Sequence, residues 1–160
     1  WYSWPSMSRT IYYWIGSNRP AGQAITETKI YLLGNPFIYW LAGLAVAGLF
    51  KRLFYQAIRR KLKEHSLPAL LLIGYLINWL PFIFIDRVMF LYHYLTALIF
   101  AIMALALAID QIKKPRLKIM VGLILIILFS SSFVFFSPLS YGLPLAPDAQ
   151  NARFWFSGWR

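Results

Sequence analysis

The sequence predicts an all-α integral membrane protein with four transmembrane helices. Three observations carry this. The 160-residue chain is 60% hydrophobic and only 13% charged, whereas soluble domains run at about half apolar and about a quarter charged. The apolar excess sits in four stretches, 30–50, 67–85, 90–109 and 119–136, and none of them contains Asp, Glu, Lys or Arg. Each approaches the ~20 helical residues that a bilayer core of ~30 Å requires. Of the sixteen Lys and Arg residues, six (Lys51, Arg52, Arg59, Arg60, Lys61, Lys63) follow the first stretch and four (Lys113, Lys114, Arg116, Lys118) follow the third. Alternating spans put these two loops on one side, and short basic loops face the cytoplasm. Both termini then lie on the non-cytoplasmic side.

Residues 1–30 form an outer-face segment rich in Trp, Tyr and basic residues: Trp1, Tyr2, Trp4, Tyr12, Tyr13 and Trp14, with Arg9, Arg19 and Lys29. Such rings favour the headgroup level, where one edge is wet and the other dry. A four-helix transmembrane region covers 31–137. In the first span, Gly34-Asn35-Pro36 places Asn35 at an N-cap and Pro36 at the first helical position, where a missing N–H is harmless. The helix is expected to run on through Lys51 and Arg52, whose stems can snorkel. Leu53, Phe54, Ala57, Ile58 and Leu62 then make a stripe opposed by basic residues, suited to an anionic inner leaflet.

The second span contains Asn78 and Pro81. Pro81 frees the carbonyl of Ile77, which in lipid needs another partner; Asn78 beside it either serves that carbonyl or, the reading favoured for Asn78 alone, bonds between helices in a kinked packing helix. The third span is expected to start near Asp86, which puts Asp86 and His93, two turns apart, on one helix face. The fourth holds Ser130, Ser131 and Ser132, residues that bond back to their own backbone or mark close helix contacts. The outer tail, 138–160, returns to aromatic residues: Tyr141, Phe154, Trp155, Phe156 and Trp159.

The net charge of +11 follows membrane topology rather than a nucleic-acid surface, so no nucleic-acid partner is expected. The absence of cysteine excludes disulfides and thiolate metal sites. His65 and His93 fall on opposite sides of the membrane, so no metal site is expected. No Ser-His-Asp arrangement, P-loop or dinucleotide motif is present. The start at Trp1, without Met, is read as the C-terminal piece of something longer.

Asp86, Arg87 and His93 are the ionisable groups between the second and third spans. Ionisable groups at membrane depth are expensive and mark function. A cation over a polar helix face, near a helix N-terminus, makes a place for a lipid phosphate. The alternative is a solvated Asp86–Arg87 turn and a His93 that hydrogen-bonds between helices. Spacing leaves both open.

Trp1-Tyr2-Ser3-Trp4-Pro5 with Arg9, then Tyr31-Leu32-Leu33-Gly34-Asn35-Pro36, resembles the approach to the last four spans of protein O-mannosyltransferases. Arg87-Val88-Met89-Phe90-Leu91-Tyr92-His93-Tyr94-Leu95 with Ala97-Leu98 is similar to that family's C-terminal signature, with Thr96 standing where the family carries Pro. Arg153-Phe154-Trp155-Phe156 with Trp159 resembles the end of its bacterial members, which favours the bacterial plasma membrane over the endoplasmic reticulum. The resemblance implies the C-terminal part of a larger polytopic GT-C glycosyltransferase. Such enzymes move mannose from a polyprenyl-phosphate carrier to Ser or Thr of exported proteins. Another polyprenyl-phosphate-sugar GT-C transferase, or a non-catalytic packing module, is the alternative. The family's catalytic acid lies in the first outer loop of the N-terminal half, so no catalytic residue is assigned here. Lipid-phosphate binding is assigned to Arg87, with His93 in the same polar pocket and Asn35 adding helix N-terminal donors. The implied partners are membrane lipid, the donor, the acceptor protein and the N-terminal half of the same enzyme; no cofactor is implied.

Overall fold

Asn35 starts the first helix as its residue type dictates: its side-chain Oδ1 accepts from the Ile38 N–H at 3.4 Å, and Pro36 follows at the first helical position. The structure, a computed structural model, describes residues 1–18, 26–59, 66–87 and 89–159. Four long apolar helices dominate it, each of a length and composition that crosses a bilayer. They are α1 (Pro36–Ile58), α2 (Ser66–Trp79, continued by a 3-10 turn over Leu80–Phe84), α3 (Leu95–Asp110, preceded by a 3-10 turn over Leu91–Tyr94) and α4 (Pro115–Tyr141). A fifth, short helix α5 covers Pro147–Asn151. The expectation that α1 runs past Lys51 and Arg52 holds; its 23 residues reach Ile58. Leu62, the last residue of the expected basic-faced stripe, lies outside the described residues.

Ahead of α1 stands an antiparallel hairpin, which differs from the interfacial segment expected over 1–30. It pairs β1 (Ile11–Asn18) with β2 (Thr26–Leu32), with a register shift between Tyr12 and Trp14. Ile11, Tyr13, Trp14, Ile30 and Tyr31 are β-branched or aromatic, the types that suit a pleated strand. The helix begins at Pro36, as the Asn35-Pro36 pair in the sequence predicts.

Two prolines shape the other helices. Pro81 has no N–H, so α2 loses its α-helical ladder at Trp79 and tightens into the 3-10 turn. Asn78 does not rescue the Ile77 carbonyl; its Nδ2 donates to the Gly74 carbonyl at 2.8 Å. The backbone is extended at Ile85 and non-helical through Phe90, apart from Val88, which is outside the described residues. The third helix thus does not start at Asp86, and no helix face is shared by Asp86 and His93. Pro138, inside α4, removes the N–H that the Val134 carbonyl needs, and Ser137 Oγ donates to that carbonyl instead, at 2.9 Å. Ser131 Oγ bonds back to the Leu128 carbonyl, as expected from sequence, and Ser132 is buried.

The core lies among α1, α2 and α3. Ala42, Ala97, Ala101 and Ala104 are buried where backbones approach. Gly74 sets the α2–α3 distance, because a Cβ there would fall 2.3 Å from the Phe100 ring. Helix α4 buries least: 11% of its spanning window is covered, against 28% for α1 and α3. At one end Arg52 Nη1 donates to Gln111 Oε1 at 2.6 Å, and Lys118 pairs with Asp110. The C-terminal ends of α1 and α3 therefore lie together at that end. The hairpin, the 85–90 loop and the C-terminal tail gather at the other.

Candidate functional site

The site is built on the first ten residues. Turn bonds fold them into a cap: Trp4 N–H donates to the Trp1 carbonyl, Met7 N–H to Trp4 and Ser8 N–H to Ser3. Ser3, Trp4 and Met7 are buried beneath it. Two tryptophans at this end donate into the cap's backbone: Trp40 of α1 to the Ser6 carbonyl at 2.7 Å, and Trp79 of α2 to the Trp1 carbonyl at 3.4 Å. These rings are more than interfacial anchors, since each satisfies a backbone carbonyl that no helix or strand satisfies.

The cap lies on the turn before α3. Trp4 stacks parallel to His93, with ring centroids 6.1 Å apart and planes 7° from coplanar, and meets Phe82 edge-on at 5.1 Å. Tyr92 stacks on the same imidazole at 4.3 Å. His93 Nδ1 faces the Phe90 backbone, 3.3 Å from its N–H and 3.0 Å from its carbonyl. That nitrogen serves the turn; Nε2 is the one left for a ligand. Below it, the buried hydroxyls of Tyr75 and Tyr94 satisfy one another at 3.1 Å, linking α2 to the turn.

Among the described residues, no hydrogen bond or ring contact joins His93 to either of the other two sequence-assigned residues. Arg87 is exposed on the 85–90 loop and, among the described residues, neither it nor Asp86 has a hydrogen bond or ion pair. Both side chains are solvated on this loop, as the alternative reading has them, without an ion pair between them. Asn35 sits at the α1–α4 contact, where its Nδ2 donates to the Phe129 carbonyl at 2.8 Å while Oδ1 caps the helix. Both ends of its side-chain amide are engaged, and the backbone N–H groups at that helix start are the further donors an anion would meet.

Between the cap and the loop lies a cavity of about 210 Å³, lined by Trp1, Trp4, Arg9, Thr10, Met89 and Phe90 among others. It combines aromatic walls, hydroxyls and one cation, a set that suits a small anionic or hydroxyl-bearing group. Arg9 also lies over the Tyr2 ring at 5.7 Å. Nothing local in the sequence marks Arg9 as a site residue. Its only signal is position beside Trp4, and its approach to Met89–Leu91 is a tertiary fact. Among the described residues, no three His, Asp or Glu side chains gather as a metal site.

A family model described as the C-terminal four TMM region of protein-O-mannosyltransferase matches residues 1–159. Dolichyl-phosphate-mannose–protein mannosyltransferase 1 of Saccharomyces cerevisiae is 34% identical, over 98% of this chain and 20% of its own length. Polyprenol-phosphate-mannose–protein mannosyltransferase of Mycobacterium tuberculosis is 28% identical, over 99% of this chain and 31% of its own length. Among solved structures, the S. cerevisiae protein O-mannosyltransferase Pmt1-Pmt2 complex bound to the sugar donor contains a similar chain. The TM-score is 0.81 at 27% identity, over 99% of this chain and 23% of that one. The chain thus spans less than a third of the length of each of these relatives.

Proposed function

Since the chain belongs to the protein O-mannosyltransferase family as its C-terminal four-helix membrane region, we propose that it supplies the carrier-holding end of an enzyme moving mannose from a polyprenyl-phosphate carrier to Ser or Thr of exported proteins. The observation that supports this best is continuity. The family match covers residues 1–159, a range that includes the cap and the turn that carry the candidate site.

In this reading the capped end faces away from the cytoplasm and both basic loops face it. The resemblance of the tail to bacterial members favours the bacterial plasma membrane, while the relatives above come from both a yeast and a bacterium. The sparsely covered α4 meets membrane lipid or the N-terminal part of the same enzyme. Arg87, exposed and uncompensated, takes the carrier's phosphate. Its fork stays charged and binds phosphate oxygens in pairs. As the glycosidic bond breaks, the leaving phosphate gains negative charge, so a cation held there lowers the barrier as well as aiding binding. His93, through Nε2, hydrogen-bonds in the same pocket, and the backbone at Asn35 adds weaker support. The group that takes the acceptor hydroxyl's proton comes from upstream sequence.

The test is mannose transfer by a full-length protein that contains this region, with radiolabelled polyprenyl-phosphate-mannose and a Ser/Thr-containing acceptor. Transfer is expected for the full-length protein and none for the 160 residues alone. Transfer of another lipid-linked sugar in its place would overturn the mannose reading. An inactive full-length protein lacking acidic residues in its first outer loop would make this region a packing module.

A further inference from the structure

We infer that Gly158 and Trp159, at the end of the chain, are positioning residues of the carrier site, holding the 1–10 cap in register over the loop and turn that bear Arg87 and His93. The inference rests on the proposed function for its consequence but on the fold for its mechanism.

The key is a backbone that does not hold itself. Met7 adopts φ 50°, the left-handed region that L side chains avoid, and it is fully buried. Such a residue persists only where its surroundings over-determine it. The tail does this twice. Trp159 Nε1 donates to the Met7 carbonyl at 2.7 Å in a buried bond, and Thr10 N–H donates to the Gly158 carbonyl at 3.2 Å. The two strips of chain therefore bind reciprocally. Gly158 is required at the contact, because a Cβ there would lie 2.5 Å from the Ser8 carbonyl oxygen. That oxygen is backbone and cannot swing aside.

From Met7 the geometry passes to the site. The Met7 N–H donates to the Trp4 carbonyl at 3.0 Å, and the Trp4 ring is the plate stacked on His93. Arg9, on the other side of Met7, reaches the cavity edge formed by Met89–Leu91. Loosening the tail thus moves Trp4 and Arg9 together. The simpler reading, an aromatic anchor at the membrane interface, does not fit Trp159. Interfacial anchors expose a ring edge to headgroups, whereas Trp159 is 1% exposed and packs on Phe136 and Phe156 at centroid distances of 5.7 and 5.3 Å.

Trp159→Phe keeps an aromatic ring and removes the N–H; Gly158→Ala forces the strips apart. In the full-length enzyme, each is expected to raise KM for polyprenyl-phosphate-mannose about five- to tenfold, as losing one buried hydrogen bond implies, with kcat changed less than about twofold. Amide hydrogen exchange in residues 3–10 is expected to accelerate in both. Should Gly158→Ala fail to fold, Trp159→Phe still carries the test. Unchanged KM and unchanged exchange in Trp159→Phe overturn the inference. So does a fall in activity that only tracks the amount of folded enzyme at constant KM, which leaves the tail a structural anchor. Where the wild-type enzyme shows no transfer from this donor, the proposed function fails instead. The exchange measurement then still decides whether the tail holds the cap.

Discussion

At His93 the sequence and the structure supply different things. Its assignment to the site rests on an imidazole at membrane depth, where polar groups are costly. What it touches did not follow, because Trp4 lies 89 residues earlier and reaches it only through the cap. His93→Ala is expected to reduce transfer only mildly, by the order of one hydrogen bond at ~1 kcal/mol, since Nδ1 is already spent on the Phe90 backbone. Steady-state kinetics of the full-length variant measure this; a collapse of kcat would make His93 a participant in the chemistry. Asn35 behaves oppositely. It both caps α1 and donates to the Phe129 carbonyl of α4. Asn35→Ala is expected to cost about 1–3 kcal/mol of stability while leaving the activity of the folded fraction near normal. Thermal unfolding in detergent, paired with kinetics, separates the two; a full loss of turnover in stable protein would restore it as a phosphate ligand.

At the scale of elements, the four spans were legible because four charge-free apolar runs near the length of a bilayer crossing are too many for a soluble core of this size to bury. The hairpin was not, because its Tyr and Trp residues satisfy the interfacial pattern as well as the strand pattern. A clearer signal was present in the β-branched and aromatic runs that flank 16–25, a stretch with two glycines and a proline. The start of the third helix was misplaced for a related reason. Ile85, Val88, Met89 and Phe90 extend the apolar run, and hydropathy does not distinguish an apolar loop from an apolar helix. The C-terminal end of α4 offers a test of what the tail contributes. Arg153 Nε donates to the Phe135 carbonyl at 2.7 Å, its Nη1 donates to Ala149, and its guanidinium lies 4.7 Å over the Phe135 ring. Arg153→Leu is expected to destabilise the protein by about 1–3 kcal/mol by removing these charge-assisted bonds, with Arg153→Lys recovering part of it. Equal melting temperatures for wild type and Arg153→Leu would show that these bonds contribute nothing to stability.

For the whole molecule, the expected orientation rests on loop charge alone, and the bond from Arg52 to Gln111 brings the C-terminal ends of α1 and α3 together, as alternating spans require. The chain has no cysteine, so single cysteines report cleanly on a full-length background stripped of others. Ser157→Cys is expected to react with an impermeant maleimide on intact cells, and Arg59→Cys only after permeabilisation. The reverse pattern would invert the topology and remove the outer-face site with it. The site was legible only as a neighbourhood. The cap, the cavity and the tail that closes on Met7 depend on contacts between the two ends of the chain, which no local pattern records.

The central claim is that this end of the bundle holds a lipid-linked phosphate through Arg87. Steady-state transfer from polyprenyl-phosphate-mannose by full-length Arg87→Ala, measured beside its thermal stability, tests it most directly. Activity is expected to fall by roughly two or more orders of magnitude at near wild-type stability, as for loss of a fixed cation at developing charge, with Arg87→Lys recovering only part because it lacks the fork. Wild-type turnover in Arg87→Ala, or a loss explained wholly by misfolding, would contradict it and leave Arg87 a solvated loop residue.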